Sequence, residues 1–240
     1  GLLPPAELGR RTLREVVEKL RPIVEQALPL REGTARSVDV DVDLGDGRRL
    51  TGTVEGIFGT RLVSVRYARL GARQRLEAWI NLLAVSATRP DEHWTSHALG
   101  GSRAGASLAL AGPVDHRATT WLRELVDLRD RGLREPLPFP LKTALAYAEE
   151  SYRLRCGADA HPDERATKEW QTDRYNAWGI PGEDADVAHV RVFGQYPPYS
   201  LLAGPPAPDE DWNDEPHRLG RIAWRVWGPL LEGAERVTAR

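Results

Sequence analysis

The chain has no methionine, a single cysteine, and only three lysines among its 33 basic residues. No apolar run approaches the ~20 residues that a membrane helix needs. Each absence excludes something. Cys156 standing alone rules out an intrachain disulfide, a CxxC metal site and a cysteine-ligated iron–sulfur cluster within this chain, and fits a reducing, cytoplasmic setting. No charged-then-apolar leader pattern is present. The lack of methionine even at position 1 makes the chain read as a piece of a longer polypeptide, whose N-terminal part is then an expected partner. Lys19, Lys142 and Lys168 leave arginine as the dominant base, a bias that with abundant Ala, Gly and Pro reflects a GC-rich genome rather than function. A net charge of −2 excludes a protein that coats polyanions by bulk charge, so any nucleic-acid contact must come from a local patch. No Gly-x4-Gly-Lys-Ser/Thr loop exists for ATP, and no G-x-S-x-G elbow accompanies Ser102 or Ser107.

What is present, 240 residues at 41% hydrophobic, suffices for one good core with an appendage. Leu13, Val16, Val17, Leu20, Ile23 and Val24 recur at helical spacing, which predicts an amphipathic helix over 6–27 with one buried face. Val38, Val40, Val42 and Leu44 alternate with Asp39, Asp41 and Asp43, the period of a half-exposed strand. Gly45-Asp46-Gly47 and Gly59-Thr60 are turns, so strands over 37–44, 49–58 and 61–67 form a meander. A helix follows from Gly71 to Arg89, then a loop holding Gly100-Gly101, then a short apolar strand over 106–111. Further helices are expected near 116–132, 141–154 and 163–174, an extended stretch at 187–193, and a last helix over 217–233.

Several stretches resemble the C-terminal domain of RecC, the gamma subunit of exodeoxyribonuclease V. They are Leu50-Thr-Gly-Thr-Val-Glu-Gly-Ile-Phe58, Leu62-Val-Ser-Val-Arg-Tyr-Ala68 and Arg75-Leu-Glu-Ala-Trp-Ile-Asn-Leu-Leu83. Outlying ones are Gly1-Leu-Leu-Pro-Pro5, Glu135-Pro-Leu-Pro-Phe-Pro-Leu-Lys-Thr143 with Ala146-Tyr147, and Trp178 leading to Glu183-Asp-Ala-Asp186 and Phe193-Gly194. They fall in order along nearly the whole chain. The resemblance implies an α/β (α+β) fold: a PD-(D/E)xK restriction-endonuclease-like core with a mixed sheet flanked by helices over residues 1–115, and a helical C-terminal part over 116–240 packed on it. It implies a non-catalytic role in DNA-end handling, duplex splitting and assembly with the RecB and RecD subunits during double-strand break repair, on duplex and single-stranded DNA. Mg²⁺ and ATP are then used by the partner subunits, with no cofactor in this chain.

A PD-(D/E)xK site needs an acid ending the second strand and an acid-x-lysine on the third, because carboxylates hold Mg²⁺ beside the scissile phosphate. Glu55 can serve as the first. The third strand has Arg66-Tyr67-Ala68 where the acid and lysine belong, so the catalytic set is degenerate at Glu55, Arg66 and Ala68. An arginine cannot ligate Mg²⁺. Asp39, Asp41 and Asp43 share one face and resemble a metal cluster, but read better as the wet side of an edge strand. His93 and His97, four apart, lack a third ligand and read as a surface loop. No metal site is expected.

Arg61, Arg66, Arg69, Arg73 and Arg75 fall within fifteen residues with no acid between them. This is the candidate DNA-binding patch, with phosphate-matching guanidinium forks. The competing reading is a surface for a partner subunit. Trp121, Trp224 and Trp227 lie on apolar helix faces and read as core, whereas Trp94, Trp178 and Trp212, in loops, are candidates for contact with a partner or with bases. Asp209-Glu-Asp-Trp-Asn-Asp-Glu215 reads as a solvated loop or an acidic face for a subunit. Two alternatives stand beside the leading one: an active Mg²⁺-dependent nuclease with displaced acids around Glu55, and a pure scaffold without DNA contact.

Overall fold

The computed structural model describes residues 6–102, 105–173, 175, 179 and 181–239. It divides into two units, residues 1–122 with 234–240, and residues 123–233. The fold is mixed α/β, as expected. Gly1-Leu-Leu-Pro-Pro5 and Trp178 lie outside the described residues.

The first unit is built on a six-stranded sheet in sequence order. The helix α1 (Ala6–Ala27) leads into β1 (Arg36–Gly45), β2 (Arg48–Phe58) and β3 (Arg61–Arg69). Asp46 and Gly47 both have positive φ, the conformation that a two-residue hairpin needs to match strand twist. Helix α2 (Ala72–Thr88) carries the chain over to β4 (Thr95–Gly101), which pairs parallel with β3. Strands β5 (Ala106–Ala111) and β6 (Glu235–Ala239) add antiparallel neighbours.

Two of these strands depart from the sequence reading. The loop expected around Gly100-Gly101 is β4. A strand buried on both faces shows no polar alternation, and Ser96 through Gly100 are all buried. Gly100 is needed there because a Cβ would stand 2.8 Å from the Ala68 carbonyl oxygen. Strand β6 is five residues with two charges, too short to show a period.

Helices cover both faces. Ile23 and Ala27 of α1 pack with Phe58, Val63, Leu99 and Ala106, and Ala78 of α2 packs with Ala98 and Ala109 on the other side. The buried stripe of α1 is narrower than expected: Leu13, Val17 and Val24 are exposed.

The second unit holds the rest of α3 (Ala118–Gly132), α4 (Leu141–Arg155), α5 (Pro162–Trp170), α6 (Val187–Phe193) and α7 (Arg218–Pro229). The expected extended stretch at 187–193 is helix α6 instead. Asp186 caps it by accepting from Ala188 N–H at 2.8 Å, and Gly194 closes it at φ 85°. Glu183 caps α4, accepting from the backbone N–H of Lys142 (3.1 Å) and Thr143 (2.7 Å). Two distant stretches of the resemblance therefore meet for a structural reason. Among the described residues no helix is long and apolar enough to cross a membrane.

Candidate nucleic-acid interface

The five arginines of the 61–75 run do not form one surface. Arg61 opens β3 and Arg69 ends it, eight residues and ~26 Å apart at strand rise. Arg61 is half-buried and lies near His97 of β4, with which it interacts electrostatically. Arg66 is exposed and turned toward α2, where its Nη2 donates to Glu77 at 3.2 Å. Arg73 is exposed in the first turn of α2.

Arg75 is a correction to the proposed patch. Its side chain is 8% exposed and makes a bidentate bond to Glu235 of β6, at 2.9 and 2.5 Å. Phosphate cannot reach it without breaking that pair. What remains contiguous in the chain is Arg66, Arg69 and Arg73, around the β3–α2 connection.

Arg69 lines a cleft of about 750 Å³ with Lys19, Tyr67, Ser102 and the carboxylates Glu15 and Glu18. Tyr67 is half exposed. Lys19 sits ~50 residues from Arg69 in sequence, so only the packing of α1 across the sheet brings the two together.

Glu55 stands on a β-bulge. Arg36 pairs with Ile57 and Val38 with Val54, so Glu55 and Gly56 together oppose the single residue Ser37. Gly56 has φ 73°, and a Cβ there would lie 3.1 Å from the Val63 carbonyl oxygen. The bulge leaves Val54 and Ile57 on the same face. Ile57 pairs with Leu62, and Arg66 follows four residues on, toward α2. Glu55 therefore projects from the opposite face, exposed, and takes no ion pair among the described residues. Glu55 and Arg66 do not converge, and β3 offers no acid and no lysine. These residues do not fit a Mg²⁺ site.

Asp39, Asp41 and Asp43 line the same wet face of edge strand β1. Each is turned to its own hairpin: Asp41 pairs with Arg49, Asp39 accepts from Thr53 Oγ1 at 2.9 Å, and Asp43 from Gly45 N–H at 2.8 Å. The bond from Arg49 holds the Asp41 carboxyl below the usual carboxylate range. Among the described residues no group of three or more His, Cys, Asp or Glu is placed to hold a metal ion.

His97 is not in a surface loop. It is buried on β4, with Nε2 3.2 Å from Thr95 Oγ1 and Nδ1 without a hydrogen-bond partner. Burial, and then the Arg61 charge, hold its pKa below the ordinary value. Trp94 is likewise no contact residue, being fully buried with Nε1 donating to Arg89 O at 3.1 Å. Ser102 and Ser107 donate to backbone carbonyls.

In the second unit the acidic stretch is divided: Asp209, Asp211 and Asp214 are exposed, whereas Glu210 and Glu215 are turned inward. Glu210 is fully buried and accepts from Arg218 at 2.8 Å, with Arg131 3.1 Å away. Glu215, also buried, accepts from Tyr147 and Ser151, each at 2.6 Å, and from Arg155 at 2.9 Å. Trp212 is partly exposed, with the Arg225 guanidinium 4.0 Å from its ring centroid. Trp224 and Trp227 are buried.

Comparison with known proteins adds a family. The profile of the RecC C-terminal domain matches residues 1–152. The chain is similar to the RecBCD enzyme subunit RecC of two Mycobacterium tuberculosis strains, 43% identical over 234 residues, 96% of this chain and 20% of each relative. It is similar to the same subunit of Mycolicibacterium smegmatis, 42% identical over 242 residues, 98% of this chain and 21% of the relative. The chain thus spans about a fifth of the length of these curated relatives.

Proposed function

This chain belongs to the RecC C-terminal domain family, and on that premise we propose that it is a non-catalytic module of a RecBCD-type exodeoxyribonuclease V. Its work is to hold DNA ends, assist duplex splitting and join RecB, RecD and the N-terminal part of its own chain, in the cytoplasm, during recombinational repair. Mg²⁺ and ATP act in the partner subunits. The single observation that supports loss of cutting is the separation of Glu55 and Arg66 onto opposite faces of the sheet, with no acid or lysine elsewhere on β3. A metal-assisted hydrolysis needs converging carboxylates, and a guanidinium repels the ion it would have to bind.

DNA contact falls to Arg66, Arg69 and Arg73, whose exposed guanidiniums suit phosphate oxygens and carry no sequence information. The test is direct. With excess Mg²⁺ or Mn²⁺ the purified chain should leave linear duplex and single strands intact. Cleavage that disappears in Glu55→Ala would establish the active-nuclease reading instead. Crosslinking of the assembled complex to a forked DNA end should label residues 66–73, and labelling confined to other subunits would favour the scaffold reading.

A further inference from the structure

Helix α1 carries more apolar surface than the sheet beneath it uses. Ile23 and Ala27 face the sheet, packed with Val63 and Val65 of β3, Leu99 of β4, and Ala106 and Leu108 of β5. Leu13, Val17, Leu20 and Val24 follow one another at spacings of four, three and four, which on an α-helix gathers them into an arc of roughly 60° beside that buried face. Leu13, Val17 and Val24 are each about half exposed, Leu20 is half-buried, and Leu28, just past the helix end, is 65% exposed. Exposed leucines scattered singly need no explanation, but a stripe aligned along one helix does. The opposite flank of α1, with Glu15, Glu18, Lys19 and Pro22, borders the cleft beside Tyr67 and Arg69 of β3. The apolar stripe is therefore turned the other way, toward β5 and β6.

That side of the sheet has room for a second helix. Neighbouring helices stand ~10 Å apart and neighbouring strands ~4.8 Å, so one helix covers about two strands. The core under α1 draws on β3, β4 and β5, and no residue of β6 joins it. The register sets Thr238 and Arg236 of β6 on the same face as Leu108 and Leu110 of β5, and both are exposed. The border of the stripe is basic. Arg10, Arg14 and Arg21, all exposed, fall in the next ~40° of the helix, and the first two share one acid, Glu7, at 3.8 and 3.0 Å. Arg236 flanks the gap from β6. A second copy of this surface fits poorly, because an antiparallel two-fold pair of α1 helices sets each arginine border against its own copy. The RecC relatives carry about four fifths of their length outside the stretch matched by this chain. We propose that the stripe docks an amphipathic helix from that remaining part of its own polypeptide. It lies beside α1 over β5 and β6, with Asp or Glu along the edges that meet Arg10, Arg14, Arg21 and Arg236. The inference rests on the RecC-type reading above for the existence of that part, and names the surface and the chemistry that join it.

The test uses the full-length polypeptide co-expressed with RecB and RecD, with a photo-crosslinking residue in place of Val17, Val24 or, on the far side of the helix, Arg11. Irradiation and peptide mapping should join the Val17 and Val24 positions to one stretch of the same polypeptide outside these 240 residues. The two points of attachment should be about seven residues apart, since Val17 and Val24 are two helical turns apart. That stretch should read apolar at three- and four-residue spacing with acids along its borders, and the Arg11 position should not yield the product. Crosslinks to RecB, RecD, DNA or a second copy would overturn the proposal, as would a stretch without that pattern or no product beyond the Arg11 control. A second measurement guards against misfolding. Val17→Glu/Val24→Glu should leave the urea midpoint of the 240-residue chain unchanged, because both side chains face water there. In the full-length polypeptide the same variant should speed hydrogen exchange in α1 by at least about tenfold, by uncovering it. Equal exchange in the two full-length proteins would overturn the proposal. Assembly with RecB and RecD is measured on the same samples. Lost crosslinks with assembly intact remove this inference alone, whereas crosslinks without assembly remove the RecC-type reading alone.

Discussion

Arg73 and Arg75 lie two residues apart on the first turn of α2, and the sequence gives no reason to treat them differently. Arg73 faces solvent, whereas Arg75 is turned inward onto Glu235 of β6, 160 residues away. The same contrast separates the Arg66–Glu77 pair, with both side chains about half exposed, from the Arg75–Glu235 pair, with side chains 8% and 3% exposed. A charge can work on DNA only if it is not already committed in the interior. The lesson is that a run of like charges in sequence is a list of candidates that tertiary contacts then divide.

The contrast can be broken most severely at the buried pair. Arg75→Ala should cost about 3–5 kcal/mol in urea unfolding, because it leaves the Glu235 carboxylate buried and uncompensated. A loss under about 1 kcal/mol would place this pair with the exposed ones. Next in size is the exposed set. Arg69→Glu/Arg73→Glu should weaken DNA-end binding at low salt and lower the slope of log affinity against log salt by about 2, roughly one per lost phosphate contact. An unchanged slope would show that these residues face protein.

A smaller effect is expected from pH. His97 has a folded pKa below its unfolded value near 6.5, so as pH falls the unfolded chain takes up the proton first. The stability it confers is complete above about 6.5 and is lost as pH falls from there toward the folded pKa. His97→Leu should flatten that part of the profile, read as urea midpoints between about pH 5 and 8, and an unaltered profile would mean that the imidazole is not the titrating group. The smallest change belongs to Arg66→Ala, which should alter stability by about 0–1 kcal/mol, since exposed pairs contribute little.

Most of the fold was legible because its elements announce themselves locally. The alternation of Val38, Val40, Val42 and Leu44 with three aspartates is a half-exposed strand, and the two positive-φ turns close the meander. Strand β4 escaped because burial on both faces erases the period that marks a strand, and β6 because five residues cannot show one. Helix α6 was in fact signalled by Asp186 and Gly194, but seven residues rich in valine favour the extended reading. At the candidate site, the sequence supplied Glu55 and the missing acid and lysine of β3, since those are matters of residue type.

Residue type and order alone therefore determined that the chain is a mixed α/β protein of the RecC kind with Arg66-Tyr67-Ala68 in place of metal ligands. Only the tertiary structure decided which charges are available. The bulge at Glu55–Gly56 turned the remaining acid away from Arg66, β6 withdrew Arg75, Arg218 and Arg155 took up Glu210 and Glu215 of the acidic stretch, and the packing of α1 set Lys19 beside Arg69. The reason is physical: a side chain's type is fixed by its codon, but its solvation and partners depend on residues far away in the chain, and those decide whether a charge binds, bridges or stays in water.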